Sequence, residues 1–200
     1  KLNDVFTLQS GLRLDNNKYG NFLLPRMSLM YKLNNKVTMR LGGGAGYKTP
    51  SLFNAEMDER DYHYLQGFLP GIQSEKSIGY NYDINYKTRV NEWELTLNQT
   101  IFYNEINHPM VYSSIKNGNL IQYTNQNNSI NSKGAESYVQ AMKVPYEIYL
   151  GYVYTDAKRN YNTYNPYLPL IAKHKFASVF AYEWSEDFKM GIESSYTGTQ

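Results

Sequence analysis

Ser77-Ile78-Gly79-Tyr80-Asn81-Tyr82-Asp83-Ile84-Asn85-Tyr86-Lys87 alternates without a break between large apolar or aromatic residues and small, polar or charged ones. On an extended chain successive side chains point to opposite faces, so Ile78, Tyr80, Tyr82, Ile84 and Tyr86 share one face. Gly79, Asn81, Asp83, Asn85 and Lys87 share the other. The next run repeats the pattern: Trp93, Leu95, Leu97, Ile101 and Tyr103 oppose Glu92, Glu94, Thr96, Asn98 and Thr100. Met27, Leu29, Tyr31 and Leu33 form a further apolar row, as do Val37, Met39, Leu41, Ala45 and Tyr47. Phe176, Phe180, Tyr182 and Trp184, then Phe188, Met190, Ile192 and Tyr196, give two more.

Charge tests this reading. The charged residues of these six segments are Arg26, Lys32, Lys36, Arg40, Lys48, Asp83, Lys87, Glu92, Glu94, Lys175, Glu183, Lys189 and Glu193. All fall on the polar face. One agreement per segment is free, because each strand sets its own phase; the rest are not. A Lys or Arg held against mid-membrane hydrocarbon costs roughly 2–4 kcal/mol, so a strand crossing lipid has to avoid it. The core of a soluble sandwich would avoid it too. Segments 4–15, 130–144 and 147–158 also read as strands, with a less definite phase.

Composition leans the same way. The 200 residues carry a net charge of +2, which excludes the strongly basic balance of a nucleic-acid binder and any acidic tail. There is no cysteine, hence no disulfide scaffold and no cysteine-held metal. No run approaches the roughly 18 apolar residues of a membrane helix. Tyrosine is the unusual figure: 21 Tyr with 8 Phe and 2 Trp, in a chain that is polar on average. A barrel in lipid shows aromatics outward in bands and turns its polar half inward, which yields that combination.

Connections separate barrel from sandwich. Tight reversals are expected at Asn34-Asn35, Val90-Asn91, Val144-Pro145-Tyr146 and Ser185-Glu186. Long connections are expected at 16–22, 49–73, 106–130 and 160–172. Strict alternation of short and long is the pattern of short periplasmic turns and long outer loops, whereas sandwiches mix loop lengths. The expected fold is all-β, an antiparallel transmembrane β-barrel, of which residues 1–200 supply about nine strands. An odd count with open edges is unstable in lipid, so the chain reads as a fragment of a larger barrel.

Several stretches resemble a known family. Arg40 to Phe53, R-L-G-G-G-A-G-Y-K-T-P-S-L-F, is similar to the pattern of TonB-dependent receptors in which a glycine-containing strand ends in an aromatic, a basic residue and A-P-S. Tyr47, Lys48, Pro50 and Ser51 match, and Thr49 replaces the usual alanine. Leu69 to Tyr82 resembles the family's N-P-x-L-x-P-E-x-S-x-x-Y-E. Glu75, Ser77 and Tyr80 match, while the Asn, the second Pro and the final Glu are replaced. Pro25-Arg26-Met27-Ser28-Leu29 resembles P-R-L-S-L, Phe102 to Ile106 resembles Y-x-N-D-I, and Gly134 with Glu136 resembles G-x-E. The resemblance implies a 22-stranded barrel with a plugged lumen, a plug domain and C-terminal strands outside residues 1–200, and a partner in the TonB energising complex. It also implies outer-membrane lipid as surroundings, and allows a surface lipoprotein as a further partner.

Among candidate sites, Gly42, Gly43, Gly44 and Gly46 lack the G-K-[ST] ending of a phosphate loop and read as a close-approach strand. His63, His108 and His174 have no partners at metal-ligand spacing, so no metal site and no cofactor is expected. His63 lies with Arg60, Tyr62 and Tyr64 on the long loop, which makes these four the candidate ligand-binding residues. Haem receptors of the family carry an axial histidine in that loop; a solvated loop histidine is the plainer reading. No catalytic set stands out, and His174 with Ser178 is too little for a barrel phospholipase, so an enzyme is not expected. Strand phase makes Arg40, Asn81, Asp83 and Glu94 lumen-facing. The Lys116-Asn117-Gly118 stretch is expected to be a hairpin tip. The expected function is capture and energised import of a scarce nutrient, a ferric siderophore or similar iron chelate. The rivals are a haem receptor using His63, a passive porin or adhesin barrel, and a soluble β-sandwich binding protein.

Overall fold

The computed structural model describes residues 5–52, 65–115 and 120–199. The strands, in order, are β1 (Phe6–Asn17), β2 (Gly20–Lys32), β3 (Val37–Lys48), β4 (Leu65–Phe68), β5 (Glu75–Val90), β6 (Trp93–Asn107), β7 (Met110–Ile115), β8 (Leu120–Asn125), β9 (Ile130–Lys143), β10 (Tyr146–Arg159), β11 (His174–Ser185) and β12 (Phe188–Thr197). Among the described residues there is no helix. Nine strands form one antiparallel sheet in the order β1-β2-β3-β5-β6-β9-β10-β11-β12, and β4, β8 and β7 form a second, small sheet. The large sheet is open, with β1 and β12 at its edges.

The alternating segments are all strands, and register extends their phase across the sheet. Arg40 pairs with Asp83, Asp83 with Thr100, and Thr100 with Glu136, so the polar residues share a face. The opposite face stays apolar and uncovered: Leu12, Leu14, Ile101, Trp184 and Ile192 are between 53% and 75% exposed. Among the described residues no second sheet packs against it, so the face-to-face layers of a β-sandwich are not formed. Charges on this face are confined to strand ends, with Lys76, Glu105, Lys133, Asp156 and Lys158 toward the long loops and Lys143 at the other end. Aromatic pairs line the short-turn end. Phe6 stacks on Tyr31 and Trp93 on Tyr146, while Tyr146 and Trp184 both meet Tyr182.

Register also gives the strand tilt. One ladder row runs Phe6, Tyr31, Met39, Ile84, Gln99, Ser137, Tyr152, Phe176, Tyr196. It starts beside a short turn and ends near the long loops, so it climbs the whole uncharged band while crossing nine strands. The band runs about 30 Å along a strand, and the crossing spans about 38 Å at standard spacings. A level band then requires a tilt near 40° and a height of roughly 24 Å, the proportions of an outer-membrane barrel wall.

Two expectations change. Residues 16–22 are not a long loop: Asn17 pairs with Gly20, leaving only Lys18 and Tyr19 in the turn. The Tyr19 amide donates to Asn17 Oδ1 at 2.8 Å, and Gly20 takes φ 130°, which only glycine adopts readily. Short and long connections therefore do not strictly alternate. The second change is that the long connections 49–73 and 106–130 contain structure, the small sheet. The expected tip at Lys116, Asn117 and Gly118 lies outside the described residues, but β7 and β8 flank it as an antiparallel pair.

Candidate functional site

The polar face bends around a trough of about 970 Å³ whose lining comes from six adjacent strands, β1, β2, β3, β5, β6 and β9. Its floor is glycine, and the reason is close approach. A Cβ on Gly42 would lie 2.7 Å from Asn81 Oδ1, one on Gly46 2.8 Å from Ser77 Oγ, and one on Gly79 2.5 Å from Asn104 Oδ1. The neighbouring strand's side chains thus lie flat across these positions and leave a low wall. Arg26, Arg40 and Glu136 supply the charged part of its lining.

The same face is laterally polarised. On β1–β3 it carries Arg13, Arg26, Lys32, Arg40 and Lys48 against Asp15 alone. On β6 and β9–β12 it carries Glu94, Glu136, Glu147, Glu183 and Glu193 against Arg159, Lys175 and Lys189. Local pairs neutralise part of this: Arg13 with Asp15 at 2.6 Å, Lys189 with Glu147 at 2.8 Å, and Arg89 with Glu94. Arg26 and Arg40 have no ion pair among the described residues. Arg40, Asn81, Asp83 and Glu94 do share the polar face; Arg40 and Asn81 line the trough, and Asp83 is paired with Arg40 across the ladder. Glu94 is held apart, at the short-turn end, by Arg89.

Between β2 and β3 the wall has a seam. The ladder from β2 to β3 ends at Arg26–Gly44. Beyond it β2 pairs only with β1, through Asn17–Gly20, and β3 only with β5, through Lys48–Glu75. Pro25 explains the break, because it has no N–H to offer a ladder; its pairing with Leu12 of β1 persists while that with β3 stops one residue away. Tyr47 bridges the seam. Its ring stacks on Phe22 with centroids 3.8 Å apart, its hydroxyl donates to Asp15 at 2.9 Å, and Asn17 Nδ2 donates to it at 3.3 Å. Phe22 and Asp15 belong to the polar face, so Tyr47 leaves the apolar row that alternation assigns it. A cleft of about 760 Å³ opens there.

Toward the long loops the small sheet has its own core of Met110, Ile121 and Tyr123, with Leu65, Phe68 and Ile72 against it. Tyr123 is fully buried and donates its hydroxyl to the Leu52 carbonyl at 3.4 Å. Asn125 Nδ2 donates to the Gln73 and His108 carbonyls at 3.0 and 2.8 Å, and its Oδ1 accepts the Gln73 amide at 2.7 Å. Glu75, one of the motif residues, accepts the Met110 amide at 2.7 Å and lies 3.8 Å from Lys48 Nζ. Two outer segments are thereby joined into one body over the end of β3 and the start of β5. Neither Asn125 nor Tyr123 carries any signal in the sequence. Arg60, Tyr62, His63 and Tyr64 lie outside the described residues. Among those described, no group of His, Cys, Asp and Glu could hold a metal.

Comparison with known proteins places this wall. The fold superposes on a siderophore receptor, PirA, from Pseudomonas aeruginosa with a TM-score of 0.75 at 19% identity, over 98% of this chain and 34% of that one. A ferric enterobactin receptor, PfeA, from the same organism, solved with enterobactin, gives 0.79 at 18% identity, over 99% and 31%. The FrpB iron transporter of Neisseria meningitidis gives 0.74 at 15%, over 98% and 31%. The chain thus spans about a third of the length of these proteins. No curated protein matches by sequence. Residues 1–200 match the family described as TonB dependent receptor-like, beta-barrel. With the tilted, one-side-apolar sheet, that match makes this chain a member of the TonB-dependent receptor β-barrel family.

Proposed function

We propose that this chain is part of the wall of an outer-membrane receptor that captures a ferric siderophore and imports it with energy supplied through TonB. What supports this above all is the combination of an uncharged outward band with a polar concave face, in a fold shared with siderophore receptors. The apolar face meets lipid. Arg40, Asn81, Asp83 and Glu94 line the lumen, and the outer loops, with Arg60, Tyr62, His63 and Tyr64, receive the ligand. The wall makes and breaks no bond; it binds, orients and encloses.

The test uses the full-length protein in outer-membrane vesicles and in cells. A radiolabelled ferric siderophore is expected to bind saturably, and its uptake to stop when the proton gradient is collapsed. Uptake that persists without the gradient would make the protein a passive pore. Recovery in the soluble fraction without detergent would end the membrane reading altogether.

A further inference from the structure

We propose that the seam between β2 and β3 is a two-state junction, latched by Tyr47, that couples the small outer sheet to the lumenal side of the wall. Register defines the second state. Continued past Arg26–Gly44, the β2–β3 ladder would set Pro25 opposite Ala45, Leu24 opposite Gly46 and Leu23 opposite Tyr47. In that zipped arrangement Tyr47 returns to the outward row beside the exposed Leu23, at the border of the uncharged band where aromatics are favoured. In the latched arrangement the ladder stays open, and Tyr47 turns to the polar face, onto Phe22, Asp15 and Asn17. One side chain cannot serve both faces of a strand, so each state excludes the other.

Few interactions separate the two. Zipping adds backbone hydrogen bonds at a depth where other partners are scarce, but Pro25 has no N–H to give, so the first new rung is weak. Latching forgoes those bonds and gains a ring stack, a hydroxyl-to-carboxylate bond and an amide-to-hydroxyl bond. Such a junction answers to whatever pulls on it. The outer sheet is placed to pull. Lys48, next to Tyr47, shares the last rung of β3 with Glu75, and Glu75 holds the Met110 amide of β7. Further along, the Leu52 carbonyl accepts the hydroxyl of Tyr123, from the core of the small sheet. The strand that carries the latch is thus anchored in the outer sheet, whereas its seat, Asp15 and Phe22, belongs to the β1–β2 hairpin. A shift of that sheet against the hairpin draws Tyr47 off its seat and lets the seam zip. Inside, the event is felt as the closing of a cleft of about 760 Å³ beside Arg26. The device belongs to the wall and stands whatever the cargo.

The test is amide hydrogen exchange on the full-length receptor in detergent, with protection of β6 and β9 as the mark of an intact wall. Tyr47→Leu removes the latch and keeps an apolar residue for the outward row. Residues 20–25 and 45–48 are then expected to exchange more slowly, by roughly five-fold or more, because the ladder closes over them. Pro25→Ala restores the missing donor and is expected to slow the same residues with Tyr47 in place. Tyr47→Phe, which keeps the stack and loses the hydroxyl, is expected to fall between the parent and Tyr47→Leu. The Gln73 and Met110 amides are expected to change rate in Tyr47→Leu as well, since coupling is reciprocal. Faster exchange at the seam in Tyr47→Leu would show a contact simply lost, and overturns the second state. So do unchanged rates in both Tyr47→Leu and Pro25→Ala. A seam that zips while Gln73 and Met110 keep their rates overturns the link to the outer sheet.

Discussion

Asn125 closes three hydrogen bonds with one amide, and its partners lie on two segments, at Gln73 and His108. Asn125→Ala would leave an N–H and two carbonyls to find water, at about 1 kcal/mol for each bond lost. The expected outcome is a small outer sheet destabilised by about 2–3 kcal/mol, seen as faster hydrogen exchange at Gln73 and Met110 while β5 and β6 stay protected. Unchanged exchange would show that the β4–β8 ladder and the Tyr123 core hold the cap alone. Little of this was legible beforehand. Asn125 sits in a run of similar residues, Thr124-Asn125-Gln126-Asn127-Asn128, and its partners are set by tertiary approach. Glu75 was conspicuous through the motif it matches, but its role, holding the Met110 amide, is one only coordinates give. Lys143 and Glu92 pair at the opposite end, 2.7 Å apart. The Lys143 hydrogen bond lowers the Glu92 pKa from the ordinary glutamate value. A depressed carboxylate stabilises the fold above its unfolded pKa and loses that contribution as pH falls through the folded one. Carbon NMR of the Glu92 carboxyl should therefore titrate below the usual glutamate range, and Lys143→Gln should move the midpoint up.

At the level of elements, the large sheet was readable because most of its strands are long, half-solvated and alternating and so declare their phase without help from their neighbours, while β1, β9 and β10 take theirs from register. The small sheet was not. β4 has four residues and pairs in parallel with β8, so nothing local in Leu65–Phe68 reports its partner. The turn at Lys18-Tyr19 was missed for a different reason. Its polar flanks, Asp15-Asn16-Asn17 and Asn21, look like loop but are strand, paired through Asn16–Asn21 above the apolar band. The seam followed from Pro25, whose effect depends on which neighbour its missing N–H faces, and periodicity does not reveal that. Phase itself invites a direct comparison. Leu97→Arg would put a charge on the outward face in mid-band, while Asn98→Arg, one residue on, would put it on the polar face. Folding into lipid vesicles should cost the first variant roughly 2–4 kcal/mol and the second far less. Equal costs would mean that the faces are assigned wrongly.

For the molecule as a whole, tilt, band height and the sidedness of charge are one property seen three ways, since all follow from the register of nine strands. The oblique ladder carries a consequence for anything that travels along the inside. Stepping sideways from one strand to the next at constant rung raises a contact by about 3 Å at this tilt. The inward polar groups are therefore threaded like the groove of a nut. A body that keeps hold of successive rungs as it descends has to revolve as well as sink, and a pull directed straight along the axis would be converted in part into torque.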